Sequence, residues 1–395
     1  MTNEKENGTR ASAVPGKQPR RGALRRTLLL LLVLAVVLGG VVFVSYQDMK
    51  GIDSIRRLLS YNKVSPDAQG RAELYAYDSD RTNTFAMLGE RLLVVSTTRM
   101  AVLDRNGEEL FSQNVKLNNP AIAQGGQLAA VYDVGGTSLY LVGQKGLVRD
   151  MSEACEGGIL AAALNESDYL ALTVRKSGYK SAVTVYDAAG APVFTFNASD
   201  HYVANACVMR DNKHLCTVSL GEADSAFASR LSIYALDQES PVAVNTLTSS
   251  LVLSLENLGD SLLCVTDDRL TSFAADGSLG GSYRYEYPYL RGVSVSGDYA
   301  ALLLSRYRSG SALRVVTVGA DGEIIGTQDI RREVLDISAA GKYVAVLYGD
   351  SLSVYTADMT EYATLESTDY AKKVIMRADG TAVLFGTSGA TLYIP

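Results

Sequence analysis

The chain has 395 residues, 37 basic against 43 acidic side chains, no tryptophan and 23 tyrosines. Residues 1–26 hold seven basic and two acidic residues, residues 27–46 hold none, and the rest holds 30 basic and 41 acidic. An acidic body excludes nonspecific nucleic-acid binding, which needs a basic footprint.

Residues 1–19 are polar and read as a disordered stretch within a basic cytoplasmic tail, residues 1–26. Leu28 to Val44 is an uncharged run of apolar residues and glycine. With its flanks it makes a transmembrane helix over 27–46, near the ~20 residues that span a bilayer. Arg20, Arg21, Arg25 and Arg26 precede it, which keeps the N-terminus cytoplasmic and sends the body out. A cleaved signal peptide is the rival, but its apolar core would be shorter. Residues 47–70 form a juxtamembrane stalk: Ile52, Ile55, Leu58 and Leu59 recur at helical spacing, and Ser65-Pro66-Asp67 ends it in a turn.

From Arg71 onward the pattern is strands. A turn recurs at Gly89-Glu90, Gly126-Gln127, Ser167-Asp168, Asn212-Lys213, Gly259-Asp260, Gly297-Asp298, Gly341-Lys342 and Asp379-Gly380. Each copy precedes a short apolar run such as YLALTV or YVAVLY. Short strands repeating roughly every 40 residues predict a β-propeller with one four-stranded blade per repeat. Eight innermost strands, labelled A in an A-to-D order from the axis outward, imply eight blades; seven with one irregular pair is the alternative. The last repeat ends at its third strand. Arg71–Tyr77 is placed to supply the fourth and close the ring without an open sheet edge.

SDYLALTV at 167–174 and VYDAAG at 185–190 resemble the turns of WD40-like and quinoprotein-like propellers. The chain lacks the Trp-Asp pair and Gly-His dipeptide of WD40 repeats and the tryptophan motif of quinoprotein repeats. A basic tail, one span and a tryptophan-free propeller together resemble an uncharacterised family of single-pass, membrane-anchored propeller proteins of Gram-positive bacteria. That resemblance implies the fold and supplies no activity.

Catalytic signals are sparse. The two histidines, His201 and His214, sit in no recognisable motif. No HExxH, Walker loop, calcium loop or CxxC occurs, so no catalytic residue, metal or cofactor is expected. Cys207 and Cys216 flank a repeated turn symmetrically, which predicts a facing, non-hydrogen-bonded cross-strand pair. A disulfide there, in an oxidising exterior, competes with two buried thiols acting as small hydrophobes.

In a propeller the A–B and C–D turns share one face, and the B–C and D–A loops share the other. Here the second set is longer and richer in charge and aromatic rings. Its B–C loops carry Arg175, Lys176, Tyr179 and Lys180, then Arg306, Tyr307 and Arg308. Its D–A loops carry His201, Tyr202, Tyr287, Tyr289, Arg291, Arg331 and Arg332. Such a face suits an anionic polymer or an acidic envelope protein; ordinary solvated loop charge is the bland reading. Tyr283, Tyr285, Tyr287 and Tyr289 alternate as if along one outer strand, with all four rings on one sheet face, packed on the next blade or stacking a ligand. The resulting expectation is a noncatalytic scaffold or ligand-binding propeller outside the cell, with the bilayer as partner through 27–46. An extracytoplasmic enzyme acting on polysaccharide or peptide in the propeller funnel is the alternative.

Overall fold

The structure, a computed structural model, describes residues 30–33, 53–54, 57, 61, 64–104, 107–223 and 225–395. The chain divides into two units, Met1–Asn62 and Lys63–Pro395. In the first, Leu30–Val33, Asp53–Ser54 and Arg57 are helical. No helix among the described residues is long and apolar enough to cross a membrane. Most of the expected span, tail and stalk lies outside the described residues.

The second unit is an eight-bladed propeller, eight sheets of four antiparallel strands. The A strands of blades 1 to 8 are Thr84–Leu88, Pro120–Gln124, Ile159–Leu164, Val203–Val208, Val252–Leu258, Tyr289–Val295, Val334–Ala340 and Lys373–Met376. Blade 8 takes its outermost strand, Arg71–Ala76, from the start of the unit. This strand pairs with the C strand Gly389–Tyr393, Arg71 opposite Tyr393. The ring is therefore closed by both ends of the unit. Arg71 is tied at the seam by ion pairs to Asp67 and Asp369, both at 2.9 Å.

The recurring turn has a simple backbone cause. Gly89, Asp168, Asn212, Gly259, Gly341 and Gly380 all adopt positive φ, the left-handed region open to Gly, Asn and Asp. The C–D turns end the same way at Gly107, Gly190, Gly277 and Gly322. Asp276 and Asp321 each accept the amide two residues on, which fixes those turns.

Packing runs between blades. Leu263, Val265 and Leu270 of blade 5 meet Ala300, Leu302 and Val316 of blade 6 in one buried cluster. The same arrangement joins blades 6 and 7, and 7 and 8. At the seam of blades 8 and 1, Phe85 stacks on Phe385 with ring centroids 4.5 Å apart.

One feature interrupts the strand alternation. The A strands of blades 3 to 7 each carry a β-bulge near their start, at Leu160, Ala204, Leu253, Arg291 and Leu335. A bulge shifts the parity of every residue before it and re-aims the extra side chain.

The tyrosine row is corrected by the same geometry. Tyr283 lies in the D strand of blade 5, and Tyr283 and Tyr285 are buried against blade 6, with Tyr287 packed beside them. Tyr289 instead opens the A strand of blade 6 and is exposed. The chain turns at 286–288, so period two stops there.

The cysteine pair is also corrected. Cys207 and Cys216 do stand opposite each other, but both are free thiols. The Met209 amide donates to the His214 carbonyl at 2.8 Å, which makes that pair hydrogen-bonded. Cys207–Cys216 lies two residues along and belongs to the same wider-spaced class, not to the closer pairs.

Candidate functional site

Two cavities carry candidate chemistry, and predicted basic residues line one of them. The first is a cleft of about 600 Å³ between blades 6 and 7 on the face of the long loops. Leu303, Leu313 and Ile337 contribute its apolar lining, and Arg291, Arg331 and Arg332 are among its polar residues, with Glu333 and Asp336. Arg291 is the bulged residue of its A strand rather than a loop residue. Its Nη2 donates to the carbonyls of Tyr307 and Arg308, so it pins the neighbouring B–C loop. Ser305 Oγ braces that loop by donating to the Tyr307 carbonyl at 2.7 Å. Arg332 lies flat on Tyr348, its guanidinium carbon 3.5 Å from the ring centroid, and donates to Ser351 Oγ at 2.9 Å. Stacking leaves part of a planar guanidinium fork for an anion. Asp336 accepts the Ile337 and Val374 amides, each at 3.0 Å, and burial raises its carboxyl above the usual range.

The predicted basic residues do not form one patch. Arg306 and Arg308 belong to the loop beside this cleft, whereas Arg175, Lys176, Tyr179 and Lys180 stand on blade 3, three blades away around the ring. There Lys176 donates to Asn197 Oδ1 at 3.0 Å, and Lys180 sits 5.4 Å from the Tyr202 ring. Tyr287 is occupied structurally: Arg314 covers its ring at 4.6 Å and pairs with Glu286 and Asp329, each at 2.7 Å. The histidines lie on opposite faces, His201 in a D–A loop bonded to Asp200 and His214 beside an A–B turn bonded to Asp211.

The second cavity, of about 500 Å³, lies among the A strands of blades 2 to 6 and reaches their A–B turns. Ala161, Ala162 and Ala163 of blade 3 create room there, because an Ala run in an innermost strand leaves volume its neighbours do not fill. Glu256 of blade 5 lines it with Ser254 and Asn257. The Glu256 side chain is exposed at the cavity wall, where the surrounding strands displace part of its water. The resulting desolvation raises its carboxyl to about 7. The sequence reading missed this residue. Its signal was an acid inside an innermost strand, where the next two repeats carry serine.

Comparisons with known proteins agree with this architecture. The C-terminal WD40 domain of Sif2 superposes with a TM-score of 0.59 at 12% identity, covering 82% of this chain and 98% of that one. The Dos1 propeller gives 0.54 at 9% identity over 81% and 94% of the two chains. BamB from Moraxella catarrhalis gives 0.50 at 13% identity over 82% and 98%. At such identities the likeness establishes the fold alone. No curated protein matches the sequence. A family of unknown function, DUF5711, matches residues 67–392, and the chain belongs to that family.

Proposed function

We propose that this member of DUF5711 is a noncatalytic binding module, anchored in a membrane through residues 27–46 and presenting its propeller outside the cell to an anionic partner. The observation that carries the binding role is the cleft between blades 6 and 7, where Arg291, Arg331 and Arg332 surround an apolar floor. Guanidinium groups bind carboxylate and phosphate oxygens through paired N–H donors, and the floor takes the carbon skeleton. The chain enters the propeller at Gly70–Arg71, beside Ile394, on the face of the short turns. Segregation of charge around the uncharged stretch at 28–44 supports the anchor and its orientation.

The experiment is crosslinking in intact cells followed by affinity recovery, comparing wild type with Arg331→Ala and Arg175→Ala. A recovered envelope partner that is lost with Arg331→Ala and retained with Arg175→Ala is the expected result. Equal recovery in all three removes the cleft from the reading. Deleting residues 28–44 should release the protein from the membrane fraction; retention would overturn the anchor.

An enzyme acting on polysaccharide or peptide is favoured only by Glu256, whose carboxyl titrates in the range suited to a general acid. Glycoside hydrolysis commonly needs a second carboxyl group. The other one lining this cavity, Glu166, is paired with Arg210 at 3.3 Å.

A further inference from the structure

Blade 4 departs from the repeat. Its B and C strands, His214–Ala223 and Ala226–Ala235, have ten residues each, whereas those of the other blades have four to six. Its A strand stops pairing at Val203 opposite Ser219, and its D strand at Thr248 opposite Ala228. Residues 220–223 and 226–227 therefore continue as a two-stranded arm beyond the sheet, on the side of the long loops, closed by Ala223 opposite Ala226.

The inner edge of this arm is open. Along the B strand the bonding alternates: the His214 carbonyl accepts the Met209 amide of the A-strand side, and the Lys213 carbonyl accepts the Leu236 amide of the C-strand side. Even-numbered residues thus bond toward the axis and odd-numbered ones toward the C strand. The N–H and C=O groups of Leu220 and Glu222 point where an A strand would continue, and among the described residues no backbone group meets them there. Such an edge is a template for one more strand.

The arm also presents a distinct side-chain face. Val218 and Leu231 pack into the core shared with blade 5, and Leu220, Glu222 and Phe227 continue the same face outward. Ser229, opposite Leu220, ties this face to the head of blade 5. Its Oγ donates to the Ser250 carbonyl at 2.8 Å and accepts the Val252 amide at 3.2 Å. Leu220 and Phe227 are exposed, as are Leu251 and Leu253 at the head of blade 5. From Leu215 to Ser229 the sequence holds two acids, Glu222 and Asp224, and no lysine or arginine. The B–C turn of blade 5 adds Asp267, bonded to the Leu251 amide at 2.8 Å, and Asp268, which is paired with Arg269.

We propose that the arm of blade 4 docks an extended segment of a partner protein, which adds as an antiparallel strand along residues 220–223 and turns apolar and basic side chains toward blade 5. Backbone bonds to Leu220 and Glu222 hold the strand, and its alternate side chains read the face. An apolar side chain covers Leu220 and Phe227, and a basic one answers Glu222. A second copy of this chain is a poor occupant, because edge-to-edge pairing of two arms crowds their Glu222 carboxylates together. The same acids disfavour an anionic bilayer. The arm is separate from the cleft between blades 6 and 7 and does not depend on the role proposed for that cleft.

The test is fluorescence anisotropy of the full chain in detergent micelles with a labelled, end-capped peptide of about eight residues, long enough to cover the edge. In it threonine alternates with valine and lysine, so that valine and lysine share one face. Saturable binding is expected. Methylating the backbone nitrogens of valine and lysine, which face the arm in an antiparallel strand, should abolish it; methylating those of threonine should leave most of it. Glutamate in place of the peptide's lysine should weaken binding about ten-fold, and Glu222→Lys should reverse that preference. Phe227→Ala should weaken it several-fold. Glu239→Lys, the same change of charge at the C–D turn of blade 4, should leave it in place. All three substitutions are at exposed positions, and circular dichroism checks that each variant is folded. Absence of saturable binding, indifference to the methylated positions, or binding unchanged by Glu222→Lys would each overturn the proposal. So would a dimer in sedimentation that Phe227→Ala dissociates, since a second copy would then be the occupant.

Discussion

The hydroxyl of Tyr299 donates to the carbonyl of Tyr343 at 2.7 Å, across the boundary between blades 6 and 7. Both side chains are fully buried. Tyr393 does the same from blade 8 to the Thr364 carbonyl of blade 7, and Tyr75 from blade 8 to the Glu90 carbonyl of blade 1. A phenol fills an inter-blade gap and satisfies a carbonyl there, a task phenylalanine cannot perform. Such positions account for part of the excess of tyrosine over phenylalanine. Tyr299→Phe should cost about 1–2 kcal/mol, because the Tyr343 carbonyl would be left buried without its donor. Denaturant unfolding would measure it; an unchanged midpoint would mean that the carbonyl finds another partner.

Ring closure gives a larger effect. Tyr75 is buried in the strand that completes blade 8 and reaches blade 1 through its hydroxyl. Tyr75→Ala removes a buried ring at the one seam where the chain is discontinuous, and a loss of about 3–5 kcal/mol is expected. Hydrogen exchange should rise first in Gly389–Tyr393, the strand it pairs with. Uniform acceleration across all eight blades would instead indicate that the ring opens only by global unfolding.

The number of blades and the closure were legible because each turn needs a residue that tolerates positive φ, as at Asn212 and Gly341. An apolar run follows each one, and the final repeat visibly lacks a strand. The site was less legible. Arg291, Arg331 and Arg332 were identified by residue type, but their convergence depends on the bulge at Arg291 and on the contact between blades 6 and 7. Local period cannot reveal either. Glu256 escaped notice because its strand reads as one more core strand. Its meaning comes from standing at the axis, beside an Ala run in a strand some ninety residues earlier. The cysteine register was readable to the residue, but the class of pair was not, because it depends on where the hairpin's first hydrogen bond falls.

Stability should depend on pH at both ends. Glu256 has its folded value raised from the usual 4.5 to about 7 by desolvation. The native state therefore binds more protons than the unfolded state between those values, and stability falls as pH rises through them. Asp268 has the opposite sign. The Arg269 guanidinium, with the Ser250 and Thr266 hydroxyls, lowers it to about 2, so its contribution is present above its usual 3.8 and is lost as pH falls toward 2. Melting temperature against pH should flatten between about 4.5 and 7 in Glu256→Gln. A slope there identical to wild type would show that another group titrates in that window.

The thiols supply the last expectation. Cys207, Cys216 and Cys264 lie in one buried cluster between blades 4 and 5. Burial pushes the thiols of Cys207 and Cys264 up to about 12 and that of Cys216 well above its usual value. The thiolate is the reactive form, so alkylation at neutral pH should leave all three untouched in the folded protein. After unfolding without reductant, all four cysteines should be modified, Cys155 included. Mass spectrometry of the intact chain reads the count directly. Two labels missing at Cys207 and Cys216, restored by reductant, would mean that the wider-spaced pair closes into a disulfide after all, with local movement of the Val203–Val208 strand.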